Sequence, residues 1–147
     1  AFAALRAAGL RLGIAGNQPP GVADALRGLD LGADWISNSA EWGVKKPDPG
    51  FFARIADACG TPPARIAYVG DRADNDALPA RAAGMQPVLI PRGLWADASG
   101  PADIAALTDL PAYVGQLSTR LAATSAVGTG RGAGPVGTAS TSAPPMR

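Results

Sequence analysis

Short apolar runs bounded by glycine, proline or polar clusters alternate, up to about residue 118, with stretches whose apolar positions recur at helical spacing. That alternation predicts an α/β fold in which helices cover both faces of a parallel sheet. Strands are predicted at Leu10 to Ala15, Ala33 to Ser37, Ile66 to Val69 and Pro87 to Ile90, with a weaker one around Ile104 to Leu107. Helices are predicted over "PPGVADALRGL", where prolines stand at the start, from about Asp76 to Ala83 before Gly84, and from about Pro111. A further helix has Asp48 as N-cap, Pro49 in its first position and Phe52, Ile55 and Cys59 on one face until Gly60 ends it. The first residues, "AFAALRAAG", read as the last two turns of an amphipathic helix, so chain upstream of Ala1 is expected.

Beyond residue 118 the pattern stops. "TRLAATSAVGTGRGAGPVGTASTSAPPMR" is rich in Gly, Ala, Ser, Thr and Pro and contains no acidic residue. Such a segment offers too little large apolar surface to offset its ordering entropy. We therefore expect residues 1–118 to form the folded part and residues 119–147 a disordered, solubilising tail. No internal repeat at solenoid periods is present.

Composition then removes several classes of chemistry. With 13 Lys and Arg against 12 Asp and Glu, the net charge of +1 is spread along the chain and implies no nucleic-acid partner. The absence of histidine excludes Ser-His and Cys-His nucleophile pairs and His-ligated metals. Cys59, the only cysteine, excludes an internal disulfide and a CxxC zinc site, which agrees with a reducing cytoplasm. No apolar stretch approaches the roughly 20 residues of a membrane span, so no membrane partner is expected and the protein reads as soluble.

In an open parallel sheet, ligands bind beyond the carboxyl ends of the strands. Three segments stand there: Gly16-Asn17-Gln18, Ser39 to Pro47, and Gly70 to Asp76. The third crowds Asp71, Asp74, Asn75 and Asp76 behind the apolar run "IAYVG". Gathered carboxylates repel one another unless a cation lies between them, and a hard, oxygen-seeking ion such as Mg2+ suits them. Gly70 leaves room for close backbone approach. Asp74 or Asn75 has a simpler role open to it, capping the next helix. Lys45 and Lys46 are the only lysines in a chain with eleven arginines, and an ammonium can meet a phosphate or quiet a carboxylate pair; two solvated lysines are the simpler account. Trp35, Trp42 and Trp95 read as packing residues, and Arg72 and Arg92 as solvated side chains.

"LGIAGN", "AEWGVKKPDPGFF" and "IAYVGDRADNDALPARAAGMQPVLIPRG" resemble, in order, motifs II, III and IV of the haloacid dehalogenase superfamily. The resemblance runs from about residue 1 to 115. It implies a three-layer Rossmann-like fold and a Mg2+-dependent hydrolase, most often a phosphatase, working through an aspartyl intermediate. Carried over, Lys46 is the catalytic lysine; Gly16, Asn17 and Lys46 contact phosphate, the amides of Asn17 and Gln18 facing it. Asp71 and Asp76 serve the metal, and Asn75 and Gly70 support that loop. The substrate implied is a small phosphorylated or halogenated molecule.

Two departures stand out. The family's nucleophile lies in an Asp-x-Asp motif after its first strand, and the only Asp-x-Asp here, at Asp74 and Asp76, belongs to motif IV. The resemblance places that absent strand between those ending at Ala15 and Val69, so a gap is expected in the sheet, with unpaired edges able to self-associate. Gly16 replaces the usual Ser or Thr, and the family's substrate-selecting cap is absent. We accordingly expect the C-terminal part of a hydrolase, inactive alone. The alternative is a degenerate, non-catalytic scaffold; a receiver-like signalling domain fits poorly because no phosphoacceptor aspartate follows a central strand ahead of the lysine.

Overall fold

The computed structural model describes residues 1–93 and 100–128. Residues 1–115 form one compact unit, and the described residues from 116 to 128 belong to a second. Within the first unit, β1 (Gly13–Gly16) pairs in parallel with β2 (Trp35–Asn38), Gly13 opposite Trp35 and Gly16 opposite Asn38. The crossover between them carries helix α2 (Val22–Arg27), as a parallel connection requires. Helix α1 (Phe2–Ala7) precedes β1. Gly13 is dictated by packing, because a Cβ there would stand 2.1 Å from the Trp35 indole.

A short helix, α3 (Ser39–Trp42), and helix α4 (Pro49–Cys59) lead to β3 (Ala67–Gly70). Its partner β4 (Gln86–Leu89) follows helix α5 (Leu78–Ala82), and the pair is again parallel, Ala67 opposite Gln86. The α/β parallel architecture is thus the one predicted. Among the described residues the expected gap is also present: the strands form two separate two-stranded sheets, with no ladder joining β1 to β3.

Alternation along β3 separates two cores. Ile66 and Tyr68 face Phe51, Phe52 and Ile55 of α4, with Ala80 and Met85. Ala67 and Val69 face the other way, toward Leu5, Val88, Ile90, Ile104 and Leu110. Phe51 and Phe52 are completely buried, and each contributes about 1.5–3 kcal/mol through its lost apolar surface. Helix α4 starts and stops as its residues dictate: the Asp48 carboxylate accepts the Gly50 N–H at 2.7 Å, and Gly60 ends the helix in the left-handed region at φ 56°.

Four expectations change. The Ile104 segment is not a strand: Ile104 is buried, but the Asp103 carboxylate takes the Leu89 N–H at 2.8 Å, which replaces a ladder bond at the end of β4. The helix expected from Asp76 begins earlier, as a π turn over Ala73–Ala77. Pro19 and Pro20 lie ahead of α2 rather than in it, and Gly21 caps the helix at φ 85°. Helix α6 (Leu110–Gly128) runs past residue 118, where alanines and Leu121 sustain helix propensity although composition suggests a tail. Residues 129–147 and Trp95 lie outside the described residues. No described helix is long and apolar enough to cross a membrane.

Candidate active site

Three loops at the carboxyl ends of the strands meet, and hydrogen bonds show how. After β1, the Asn17 carboxamide grips the backbone of Lys46: its Nδ2 donates to the Lys46 carbonyl at 3.0 Å, and its Oδ1 accepts the Lys46 N–H at 2.8 Å. The Lys46–Pro47 peptide is cis. The Gln18 amide, expected to face an anion, donates instead to the Ser39 hydroxyl at 3.1 Å. Asn38, buried at the end of β2, caps α3 by accepting the Glu41 N–H at 2.9 Å. Gly16 has room for a side chain, since a Cβ would meet only the Gln18 Cγ at 3.8 Å.

From this frame the Lys46 side chain crosses to the loop after β3. Its Nζ lies 2.5 Å from Asp76 Oδ1, with 13% of the lysine side chain and 1% of the aspartate exposed. Desolvating two charges is costly, and the cost is met only where the remaining lone pairs find donors. Here they do: the Tyr68 hydroxyl donates to Asp76 Oδ1 at 3.1 Å, and the Arg72 N–H donates to Oδ2 at 3.1 Å. Among the described residues no buried side-chain polar atom lacks a partner. Gly70 makes room for the arrangement, because a Cβ there would stand 2.3 Å from that of Asp76. Burial first, and then the Asp76 charge, pushes the Tyr68 phenol far above its ordinary value, so it keeps its proton and remains a donor.

Asp71 sits half-buried at the tip of β3, close enough for its charge to raise the pKa of both Tyr68 and Arg72. Asp74 does not cap the following helix. Its carboxylate forms a fork with Arg72, Nε to Oδ1 at 3.0 Å and Nη2 to Oδ2 at 2.5 Å, and those bonds hold its pKa below the ordinary value. Arg72 is therefore engaged, whereas Arg92 is exposed. Asn75 is half-buried within the π turn. Lys45 is exposed beside Lys46, and an open cleft of about 600 Å3 is lined by Gly43 to Pro49.

As a test of metal fit, Asp71 and Asp76 offer the hard oxygens Mg2+ prefers, but both Asp76 oxygens already accept from protein donors. Among the described residues no three acidic or cysteine side chains converge into a metal-holding group. As it stands, Asp76 fits a supporting place rather than a direct one, and Asp71 supplies the other carboxylate at the tip of β3.

The family model of the haloacid dehalogenase-like hydrolases matches residues 1–84, more than half of the chain. The chain belongs to this family. It is 46% identical over 59 residues to the glyceraldehyde 3-phosphate phosphatase of Methanopyrus kandleri, covering 40% of this chain and 25% of that protein. It is 33% identical over 88 residues to haloacid dehalogenase-like hydrolase domain-containing protein 3 of Danio rerio, covering 58% and 36%. Among solved structures, a haloacid dehalogenase phosphatase from Thermococcus onnurineus superposes with a TM-score of 0.64 at 28% identity, over 78% of this chain and 54% of that one. The chain thus spans well under half the length of these curated relatives. Phosphatase is the named activity of the Methanopyrus kandleri relative and also of the phosphoserine phosphatase of Thermus thermophilus, 36% identical over 99 residues, 63% of this chain and 39% of that protein.

Sequence reading missed Tyr68, Asn38 and Ser39. A tyrosine inside an apolar strand does carry a signal, since a buried hydroxyl needs a partner; its partner lies eight residues on, within a π turn that has no sequence signature of its own.

Proposed function

We propose that these residues form the lysine and metal side of a Mg2+-dependent phosphomonoesterase site, acting on a small phosphorylated molecule in the cytoplasm. The observation that carries this reading is the joint hold on Lys46: Asn17 fixes its backbone and Asp76 its ammonium, where the loops after β1 and β3 meet. An ammonium has three donors, so Lys46 can keep Asp76 and still reach a phosphate oxygen. The backbone amide of Asn17 and the open space at Gly16 suit the phosphate oxygens on the opposite side. Asp71 would hold Mg2+, with Asp76, Asn75 and Gly70 keeping its loop in shape. The metal's contribution is to neutralise charge on the transferred phosphoryl group.

The attacking carboxylate is assigned to a strand lying between β1 and β3 and supplied from outside this sequence. Its oxygen would bond to phosphorus as the ester bond breaks, and water would then hydrolyse the aspartyl phosphate. Calorimetric titration with Mg2+ should show binding to the chain that Asp71→Asn removes, while p-nitrophenyl phosphate is not turned over by the chain alone. Unchanged Mg2+ binding in Asp71→Asn would overturn the metal assignment. Turnover abolished by that substitution would overturn the inactivity and the external nucleophile. A second reading, a non-catalytic scaffold, draws on Gly16: packing does not require glycine there, so the hydroxyl is missing without a steric cause. Cooperative thermal unfolding without Mg2+ or phosphate binding would favour it.

A further inference from the structure

Among the described residues, Tyr68 joins the buried aromatic core to the charged pair. Trp35, Trp42, Phe51, Phe52 and Tyr68 form a continuous row, with successive ring centroids 6.0, 5.1, 5.8 and 5.2 Å apart. The row starts on β2 and ends on β3, so it spans both separate sheets. At its end the Tyr68 hydroxyl bonds the same Asp76 oxygen that receives the Lys46 ammonium. The ammonium also lies 6.0 Å from the centroid of the Tyr68 ring, within reach of a cation–π contact.

We infer that Tyr68 is a positioning residue for Lys46: through its hydroxyl and ring it sets the rotamer of Asp76 and the direction of the ammonium. This rests on the reading of Lys46 as the phosphate-contacting lysine. The carboxylate would otherwise be held at Oδ2 by the single Arg72 N–H and could turn about χ2, carrying the ammonium with it. A hydroxyl on a ring wedged against Phe52 removes that freedom, and it does so without touching substrate.

Because the chain has only two lysines, lysine-selective 13C labelling gives two ε-methylene signals, with exposed Lys45 as the internal reference. In the full chain Lys46 should be rigid and its two ε-protons inequivalent. Tyr68→Phe keeps the ring but should drop the Lys46 ε-methylene order parameter below about 0.6, the flexible range, with Lys45 unchanged. A rigid Lys46 in Tyr68→Phe, alongside a mobile one in Asp76→Asn, would overturn the role of Tyr68 while sparing the Lys46–Asp76 pair. A Lys46 that stays rigid in both variants would overturn the pair and the functional reading with it. Should Tyr68→Phe fail to fold, the native chain decides. A slowly exchanging Tyr68 hydroxyl proton with cross-relaxation to the Lys46 ε-protons supports the role, and a hydroxyl exchanging as fast as that of Tyr113 overturns it.

Discussion

Gly70 and Gly16 are both glycines at strand ends, yet they answer to opposite constraints. At Gly70 the Asp76 side chain fills the space a Cβ needs. Gly70→Ala is expected to cost about 1–3 kcal/mol through overpacking and to displace Asp76, which a lowered melting temperature and loss of Lys46 rigidity would register. At Gly16 the space is open, so Gly16→Ser should fold normally. If the crevice binds phosphate, the added hydroxyl should tighten inorganic phosphate binding roughly tenfold, about the worth of a hydrogen bond to a charged acceptor. Calorimetry in the presence of Mg2+ would measure this, and an unchanged affinity would count against a phosphate at Gly16.

The elements are tied together by exposed carboxylates whose titration has a definite direction. Asp34 accepts the Leu12 N–H at 2.6 Å just ahead of β1, and that bond, more than Arg6, lowers its pKa below the ordinary 3.8. Glu41, on α3, is lowered from 4.5 chiefly by the Arg27 guanidinium and then by the Ser37 hydroxyl. A carboxylate whose pKa falls on folding stabilises fully above its unfolded value and loses that contribution as pH falls through the folded one. The melting temperature should therefore be flat at neutral pH and decline below about pH 4.5. Asp34→Asn should lower it at neutral pH and make the acid decline shallower, as a pH series of thermal melts would show. The same bond explains a boundary that sequence did not reveal. Leu10 and Leu12 carry the alternation of a strand, but the Leu12 N–H goes to a side chain, and the ladder starts at Gly13. Asp103 has the like effect beside Ile104. Periodicity reports which residues are apolar; it is blind to carboxylates that take backbone donors away. By contrast Asp48, Pro49 and Gly60 act locally, so the limits of α4 were legible.

At the scale of the molecule, the separation into two parallel pairs leaves strand edges on β1 and β3 without ladder partners among the described residues. Such edges template pairing with other chains. We expect dimers or larger species by light scattering at micromolar concentration, and a monodisperse monomer would contradict this. The gap was legible because it follows from an absent Asp-x-Asp and a known strand order. That Asn17 and Lys46 stand at one site was legible from the resemblance, but the direct grip of the Asn17 carboxamide on the Lys46 backbone was not, since 29 residues separate them and neither side of that contact has a local pattern. Yet that contact has a consequence of its own. Asn17 holds position 46 by its main chain alone, so the place of the loop does not depend on the side chain it displays. A neutral residue in place of Lys46 would leave this loop where it is, and its cost would fall thirty residues away on Asp76, buried without its cation, so position 46 is tied to the architecture through its charge and not through its backbone.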